Sequence, residues 1–388
     1  TLLGSATPSV ESHYNVSHNK YVALRLTKRI QQRRLPEITV VDLRNSRDGK
    51  GFLRIISQPL YQGLRSTLAQ GEQALLFLNR RGYASYPVCS ACGAAIKCDN
   101  CDISLTLHQA AAAYKCHYCG YTRALQAPCT VCGAAQIKNL GLGTEKIESL
   151  AKTLFPEARV ARMDGDTTRR KGALVGLLKG LRRREIDIMV GTQMVAKGHD
   201  FPHITLVGII CADLSLNFPD FRAGERTFQL LAQVAGRAGR GDTPGRVILQ
   251  TYNPEHFSIT AAQKQDFEAF YEHELQFRQA LNYPPFTRMV QIRLSGRDRA
   301  TTQKQACLFG DICRTLRSST RDFKAAIEIL GPIEAPLSRI AGHYRWQILL
   351  KGHPFKVLHR FIHMLMADKR ALRGQIRVVI DVDPFFMM

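Results

Sequence analysis

Gln233-Val-Ala-Gly-Arg-Ala-Gly-Arg240 is the stretch on which the reading of this chain turns. It places two arginines three residues apart, each directly after a glycine. A guanidinium is a planar fork that matches phosphate oxygens, and glycine lets the backbone come close to a ligand. Eight positions in this order, following the helical stretch 225–231, point to a nucleoside triphosphate and away from a solvated surface turn.

Working outward, the chain alternates strands and helices. Glu37-Ile-Thr-Val-Val-Asp42 is a β-branched strand. Ser57 and Pro59 start a helix whose Leu60, Leu64 and Leu68 share one face, and Gly71 ends it. Strands are expected at 74–78, 159–163, 186–190, 206–210 and 246–250. Such alternation predicts a mainly parallel sheet with helices on both faces. Near Asn282-Tyr-Pro-Pro-Phe286 the composition changes, and the rest reads as two strand–helix stretches and a last strand, 376–381, forming a small α+β domain.

Between two of those strands lie Cys89/Cys92, Cys98/Cys101, Cys116/Cys119 and Cys129/Cys132, four Cys-x-x-Cys pairs within 44 residues. Each pair aims two sulfurs at one point, and two pairs make a tetrahedral zinc site. Disulfides, a redox pair and an iron–sulfur cluster are the competing readings. Fourteen residues separate Cys101 from Cys116, enough for a hairpin, whereas five separate Cys92 from Cys98. A nested arrangement is therefore expected, with Cys89, Cys92, Cys129 and Cys132 on one zinc and Cys98, Cys101, Cys116 and Cys119 on the other. Adjacent pairing is the alternative. His108 and His117 read as structural or DNA-facing, and Cys211 as a core residue of a strand.

The charge balance is 54 Lys plus Arg against 32 Asp plus Glu, or +22. Eight thiolates on two zinc ions would add −8 and +4, giving +18. Such a surplus favours a polyanion. No run is long enough to span a membrane, and no signal peptide is visible.

Val190-Gly-Thr-Gln-Met-Val-Ala-Lys-Gly-His-Asp-Phe-Pro202 follows a strand end, where open α/β sheets bind ligands. Gly141-Leu-Gly-Thr144 opens a helix, a ready phosphate site. The Gln233–Arg240 stretch resembles the sixth motif of superfamily 2 helicases, 190–202 the fifth, and Ser5-Ala-Thr7 the third. No Gly-x-x-x-x-Gly-Lys-Ser/Thr loop or Asp-Glu-x-His box occurs in the 388 residues, so the chain is expected to be a fragment, inactive alone.

A helicase lobe interrupted by four cysteine pairs resembles the bacterial primosomal replication-restart helicases, the PriA or primosomal protein N′ family. Further matches are Leu78-Asn-Arg-Arg-Gly-Tyr83, Cys116-His-Tyr-Cys-Gly120, Pro219-Asp-Phe-Arg-Ala223 with Glu225-Arg226, Leu330-Gly-Pro-Ile-Glu-Ala-Pro336, Tyr344-Arg345 and Ile380-Asp-Val-Asp-Pro384. In helicases of the RecQ type, the rival, the zinc module follows the second lobe instead.

The resemblance implies an α/β, RecA-like superfamily 2 lobe with a parallel sheet, an inserted two-zinc module and a small α+β C-terminal domain. Its divisions are 1–52 as the end of a first lobe, 53–88 and 133–281 as the second lobe, 89–132 as the zinc module, and 282–388 as a DNA- and partner-binding domain. It implies an ATP-dependent 3′→5′ DNA helicase that initiates replication restart at abandoned forks and D-loops. Arg237 and Arg240, with Gln233, would serve the γ-phosphate. Gly198, Asp200 and Gly236 would face ATP with Mg²⁺. Thr144, Thr192 and Lys197 would touch DNA. Expected partners are forked and single-stranded DNA, single-strand-binding protein and other primosome proteins. The protein would be a monomer of the bacterial cytoplasm, at the nucleoid. A motorless zinc-ribbon DNA-binding scaffold is the alternative.

Overall fold

The computed structural model describes residues 1–26, 36–46, 55–79, 86–108, 111–140, 142–170, 172–196, 201, 203–239, 243–368, 370 and 376–387. The first units are α1 (Val10–Ser17), β1 (Glu37–Asp42), α2 (Gln58–Ala69) and β2 (Gln73–Phe77). A cysteine-rich module follows, with β3 (Tyr86–Cys89), β4 (Thr106–His108), β5 (Ala113–Lys115), β6 (Thr122–Ala124) and β7 (Ile137–Leu140). The α/β pattern resumes with α3 (Thr144–Leu154), β8 (Val160–Met163), α4 (Ala173–Arg182), β9 (Ile188–Gly191), α5 (Gln193–Ala196) and β10 (Ile204–Ile209). It ends with α6 (Asp213–Leu216), α7 (Ala223–Ala235), β11 (Arg246–Thr251), α8 (Phe257–Lys264) and α9 (Phe267–Ala280).

The main sheet has the order β1-β11-β10-β2-β9-β8, and each pairing is parallel. Alternation along β2 shows why both faces are covered. Leu75 and Phe77 pack with Leu181, Phe228, Ile259 and Phe270 from α4, α7, α8 and α9. Ala74 and Leu76 pack with Leu60, Leu64, Ile147 and Ala151 from α2 and α3. Each fully buried Leu or Phe contributes about 1.5–3 kcal/mol. Ser57 caps α2, accepting from the Leu60 N–H at 3.4 Å, and Gly71 follows its end at φ +66.

Two expected boundaries shift. Strand β1, assigned above to a separate first lobe, is the edge strand of this same sheet, in register with β11 from Glu37↔Arg246 to Asp42↔Thr251. The base of the cysteine module is the antiparallel pair β3–β7, which begins before Cys89 and ends after Cys132.

Beyond residue 282 lie β12 (Arg288–Gly296), α10 (Arg299–Ser318), α11 (Arg321–Ala326), β13 (Ile327–Ile340), β14 (His343–Gly352), α12 (Phe355–Ala367) and β15 (Arg377–Val382). Their sheet has the order β13-β14-β12-β15, with antiparallel pairing. It gains the long hairpin β13–β14, which the reading of two strand–helix stretches did not include. Ala341 and Gly342 both hold positive φ at its turn, which suits a tight hairpin. One sheet face buries Val290, Ile292, Leu294, Ile348 and Leu350 against Phe309, Phe323 and Phe361 of the three helices.

Helices α1, α7 and α9 meet at a buried ionic cluster. Arg278 of α9 has a fully buried side chain. It pairs with Glu225 of α7 at 2.6 Å, with Glu274 of its own helix at 2.8 Å and with Glu11 of α1 at 3.2 Å. Arg222 also pairs with Glu11, at 3.1 Å. Three carboxylates thus face two guanidiniums. Burial, reinforced by Glu225 and Glu11, pushes the Glu274 carboxyl up to about 7 against an ordinary 4.5.

Removing one partner of a buried ion pair typically costs about 3–5 kcal/mol, because the remaining charges lose their compensation. Arg278→Met should lower the unfolding free energy by that amount near neutral pH, and by less at pH 5, where Glu274 takes up a proton. Glu274 binds its proton more tightly folded than unfolded. Its contribution to stability is therefore full below pH 4.5 and lost as pH rises through about 7. Urea unfolding across that window should show a smaller fall for Glu274→Gln than for the unsubstituted protein.

Candidate nucleotide, nucleic-acid and metal sites

Helix α7 ends at Gly236, and the chain turns at once: Arg237 N–H bonds the Val234 carbonyl at 3.0 Å and Ala238 N–H that of Ala235 at 3.1 Å. Gly239 N–H then bonds the carbonyl of Ile204, the first residue of β10, at 3.1 Å. Gly239 holds φ +67 and its Cα faces the backbone of Gly245, so that a Cβ on either glycine would overlap the other's main chain. The second glycine of the quoted stretch is thus fixed by a backbone crossing. Arg237 is largely buried, while Gln233 and Gly236 are exposed. Arg240 lies outside the described residues.

Thr192 lies at the other end of the sheet. It follows the C-terminal end of β9, and its N–H donates to the carbonyl of Met163, the last residue of β8, at 3.3 Å. At the same edge the Gln193 amide donates to Asn79 Oδ1 at 2.8 Å, and Asn79 donates to Ser215 Oγ at 2.6 Å. Asn79, quoted above only within the Leu78–Tyr83 stretch, is a polar organiser of this edge, a role the sequence did not assign to it. Helix α5 follows Thr192 directly and packs against α7. Lys197, Gly198 and Asp200, on the segment that continues toward β10, lie outside the described residues. The structure therefore does not set Thr192 beside Arg237, but at opposite ends of one face.

Thr144 is the first residue of α3, with Gly143 as its N-cap. Its hydroxyl is buried and donates to Asp164 Oδ2 at 2.7 Å. Asp164 also accepts N–H bonds from Asp166 and Thr167, and these and Arg162 outweigh burial to hold its carboxyl below the usual range. The Thr144 hydroxyl is thus committed to Asp164, and Gly143, not Thr144, is the N-cap of the helix. What remains for a phosphate is the backbone N–H groups at the helix start.

Ser5–Thr7 adjoins α7 as well, since the Gln229 amide donates to the Thr7 carbonyl at 3.3 Å. Cys211 lies just past β10, not within it, at φ 52, with its thiol 3.8 Å from Asp213 Oδ2. Asp213 accepts from the Tyr252 N–H at 2.9 Å and from Thr251 Oγ1 at 3.1 Å. Full burial pushes its carboxyl up to about 6.

The cysteines gather in two groups, Cys89 with Cys92, Cys129 and Cys132, and Cys98 with Cys101, Cys116 and Cys119, each with its sulfurs within 4.8 Å of one another. This is the nested arrangement. Cys89–Cys132 and Cys98–Cys119 stand 3.6 Å apart, and Cys92–Cys129 3.7 Å. Those separations exceed a disulfide bond and fit the edge of a tetrahedron, which for zinc–sulfur bonds of ~2.3 Å is ~3.8 Å. Both donor sets therefore fit zinc.

The two groups face different neighbours. Gly93, at φ +76 after the first pair, would place a Cβ 2.5 Å from the Tyr252 carbonyl, so the outer group sits on the main lobe. The inner group sits on the C-terminal domain. His117 Nδ1 meets the Glu334 carbonyl at 2.9 Å, its own carbonyl accepts from Gln347 at 2.7 Å, and Tyr283 donates to the Cys101 carbonyl at 3.1 Å. Burial holds the His117 ring down to about 4, so it is neutral, and its Nε2 lies 3.3 Å from His108 Nε2. Both histidines lie outside the metal-capable groups.

Comparison with known proteins follows this geometry. Residues 279–385 match the primosomal protein N C-terminal domain, 98–123 the PriA DNA helicase Cys-rich region, and 132–242 the helicase conserved C-terminal domain. The chain is 41% identical to the replication restart protein PriA of Bacillus subtilis over 100% of this chain and 48% of that protein. It is 40% identical to that of Haemophilus influenzae, over 99% of this chain and 51% of that protein. The chain thus spans about half the length of the curated relatives it matches. Among solved structures, yeast Dbp5 bound to RNA and ADP BeF3 is similar only at TM-score 0.35 and 12% identity, over 71% of this chain and 54% of that one.

Two substitutions probe the geometry. Gly239→Ala should lower stability by more than about 1 kcal/mol in urea unfolding, since both φ and the crossing with Gly245 oppose a side chain. Cys101→Ser should reduce bound zinc from two ions per chain to one by elemental analysis, and should expose the segment near Tyr283 to protease.

Proposed function

Because the chain belongs to the PriA family of replication restart proteins, we propose that it supplies the second motor lobe, a two-zinc module and a nucleic-acid-binding C-terminal domain of an ATP-dependent 3′→5′ DNA helicase. In the complete protein this motor acts at abandoned forks and D-loops. It then recruits primosome proteins to reload the replicative helicase. Forked and single-stranded DNA, single-strand-binding protein and other restart proteins are the partners. The protein works as a monomer in the bacterial cytoplasm, at the nucleoid.

The observation that carries the reading is the turn after α7. Gly239 is fixed between Ile204 and Gly245, which gives the turn that carries Arg237 a rigid base. Arg237 and Arg240 stabilise charge that develops on a γ-phosphate held by another lobe, and Gln233 and Gly236 border the same position. An arginine in this role is worth ~10³–10⁵ in rate where measured for GTPases. Gly198 and Asp200 face the nucleotide and its Mg²⁺, and Lys197 and Thr192 face DNA. Thr192 and the α3 N-terminus lie at the strand ends, where backbone N–H groups meet DNA phosphates without reading bases. Helix α5 and the segment after it join the two regions, so a change at the nucleotide end is felt at the DNA end. Zinc at each cysteine group supplies rigidity to the module and no redox chemistry.

The test uses the complete protein. Arg240→Ala, with Arg237→Ala beside it, should reduce DNA-stimulated ATP hydrolysis by ~10³-fold or more and abolish unwinding, while DNA affinity changes little. Unwinding at the original rate would favour a motorless zinc-ribbon scaffold.

A further inference from the structure

The C-terminal sheet has one face buried on its helices, and its other face meets the cysteine module at one end. There Met289 and Leu349 pack with Ile103, Leu105 and Tyr118 of the cysteine module, and Gln347 is tied to His117. Toward the other end of that face Arg293 and Arg345 are half-buried and Arg377 is exposed. On it Ser295 stands opposite Arg345 of β14 and opposite Arg377 of β15. Two arginines therefore flank one small residue in a single row, their Cα atoms two strand spacings or ~10 Å apart. Arg293 lies one step along the same face, opposite Gln347 and Val379.

These charges are poorly compensated. Asp381 pairs with Arg293 at 3.4 Å. Among the described residues no carboxylate pairs with Arg345 or Arg377; Arg345 donates to the Leu337 carbonyl at 3.3 Å. Burial and the nearby Arg293 charge both disfavour the protonated Arg345 guanidinium. Like charges in neighbouring register, with one carboxylate among three arginines, are unfavourable until an anion arrives. A guanidinium fork suits a phosphodiester.

We propose that this arginine-bearing half of the sheet is a binding site for the phosphate backbone of single-stranded nucleic acid, held by Arg345, Arg377 and Arg293. The proposal rests on the DNA-binding reading above and assigns residues to it. Ser295, Val379, Gln347 and Asp381, which share the face, offer no aromatic platform, so the contact carries charge and not base identity.

The experiment measures oligo-dT binding by the complete protein through fluorescence anisotropy, over a range of salt. Each lost single-strand phosphate contact reduces the slope of log K against log salt by ~0.7. Arg345→Ala with Arg377→Ala should therefore reduce the slope by ~1.4, with the melting temperature and zinc content kept. Arg345→Lys with Arg377→Lys should retain most of it. An unchanged slope in the alanine variant, with oligo-dT still bound, overturns the assignment. So does an unchanged slope with lost affinity for poly-glutamate, which would give the face to an acidic protein. If the unsubstituted protein fails to bind oligo-dT at low salt, the DNA-binding reading itself falls.

Discussion

The arrangement depends on one buried guanidinium. Arg278 has no exposure, and three acidic side chains from α1, α7 and α9 converge on it. Taking such charges out of water costs several kcal/mol per ion, and attraction compensates only when the geometry is tight. The cluster therefore tolerates little relative movement of its helices. Because α7 leads into the Gly236–Gly239 turn, the orientation of the arginine-bearing loop is set by charges some ten residues earlier in the same helix. Glu225 also accepts the Val10 N–H at 3.0 Å, which ties the first helix to the same point.

The contacts radiate from there. Arg278 donates to the Pro284 carbonyl at 3.2 Å, at the entry to the C-terminal domain. Phe221 stacks on Tyr283 with ring centres 4.6 Å apart, and the Arg222 and Arg278 guanidiniums lie 4.3 and 5.2 Å from its ring. Arg222 donates to the Pro384 carbonyl at 3.1 Å, and Arg226 to that of Phe385. The Phe221 N–H bonds the Tyr118 hydroxyl at 3.3 Å, which brings in the cysteine module. The first turns of α7 are thus where the main lobe, the module and the C-terminal domain share a core.

What was legible in the sequence was local or periodic. The parallel sheet followed from the alternation of strands with helices, and the nested cysteine groups from the distances between pairs. The glycine before Arg240 reads as room for a ligand, whereas at Gly239 the structure uses it for a crossing with Gly245. What was hidden required knowing which distant segments meet. Strand β1 has strand character wherever it pairs, so its sequence could not assign it to β11. Glu11, Glu225, Glu274 and Arg278 look like residues of solvated helix faces, and burial emerges only when three helices converge. Thr144 reads as a phosphate ligand or a cap until Asp164 is placed beside it. Arg293, Arg345 and Arg377 are far apart in the chain, and the antiparallel register alone sets them on one face.

The two cysteine groups divide the module's work by where they dock. The outer group rests on Tyr252 at the end of β11, next to the buried Asp213, which binds the loops after β10 and β11 together. The inner group rests on β13 and β14 through His117 and Gln347. A segment with so little apolar core needs cross-links to hold its shape, and metal-capable cysteine groups supply them. Through these contacts it touches both the main lobe at Tyr252 and the C-terminal sheet at Gln347. The same docking covers one end of that sheet, away from the arginine-lined end. The module therefore limits how much of the sheet is available to a ligand.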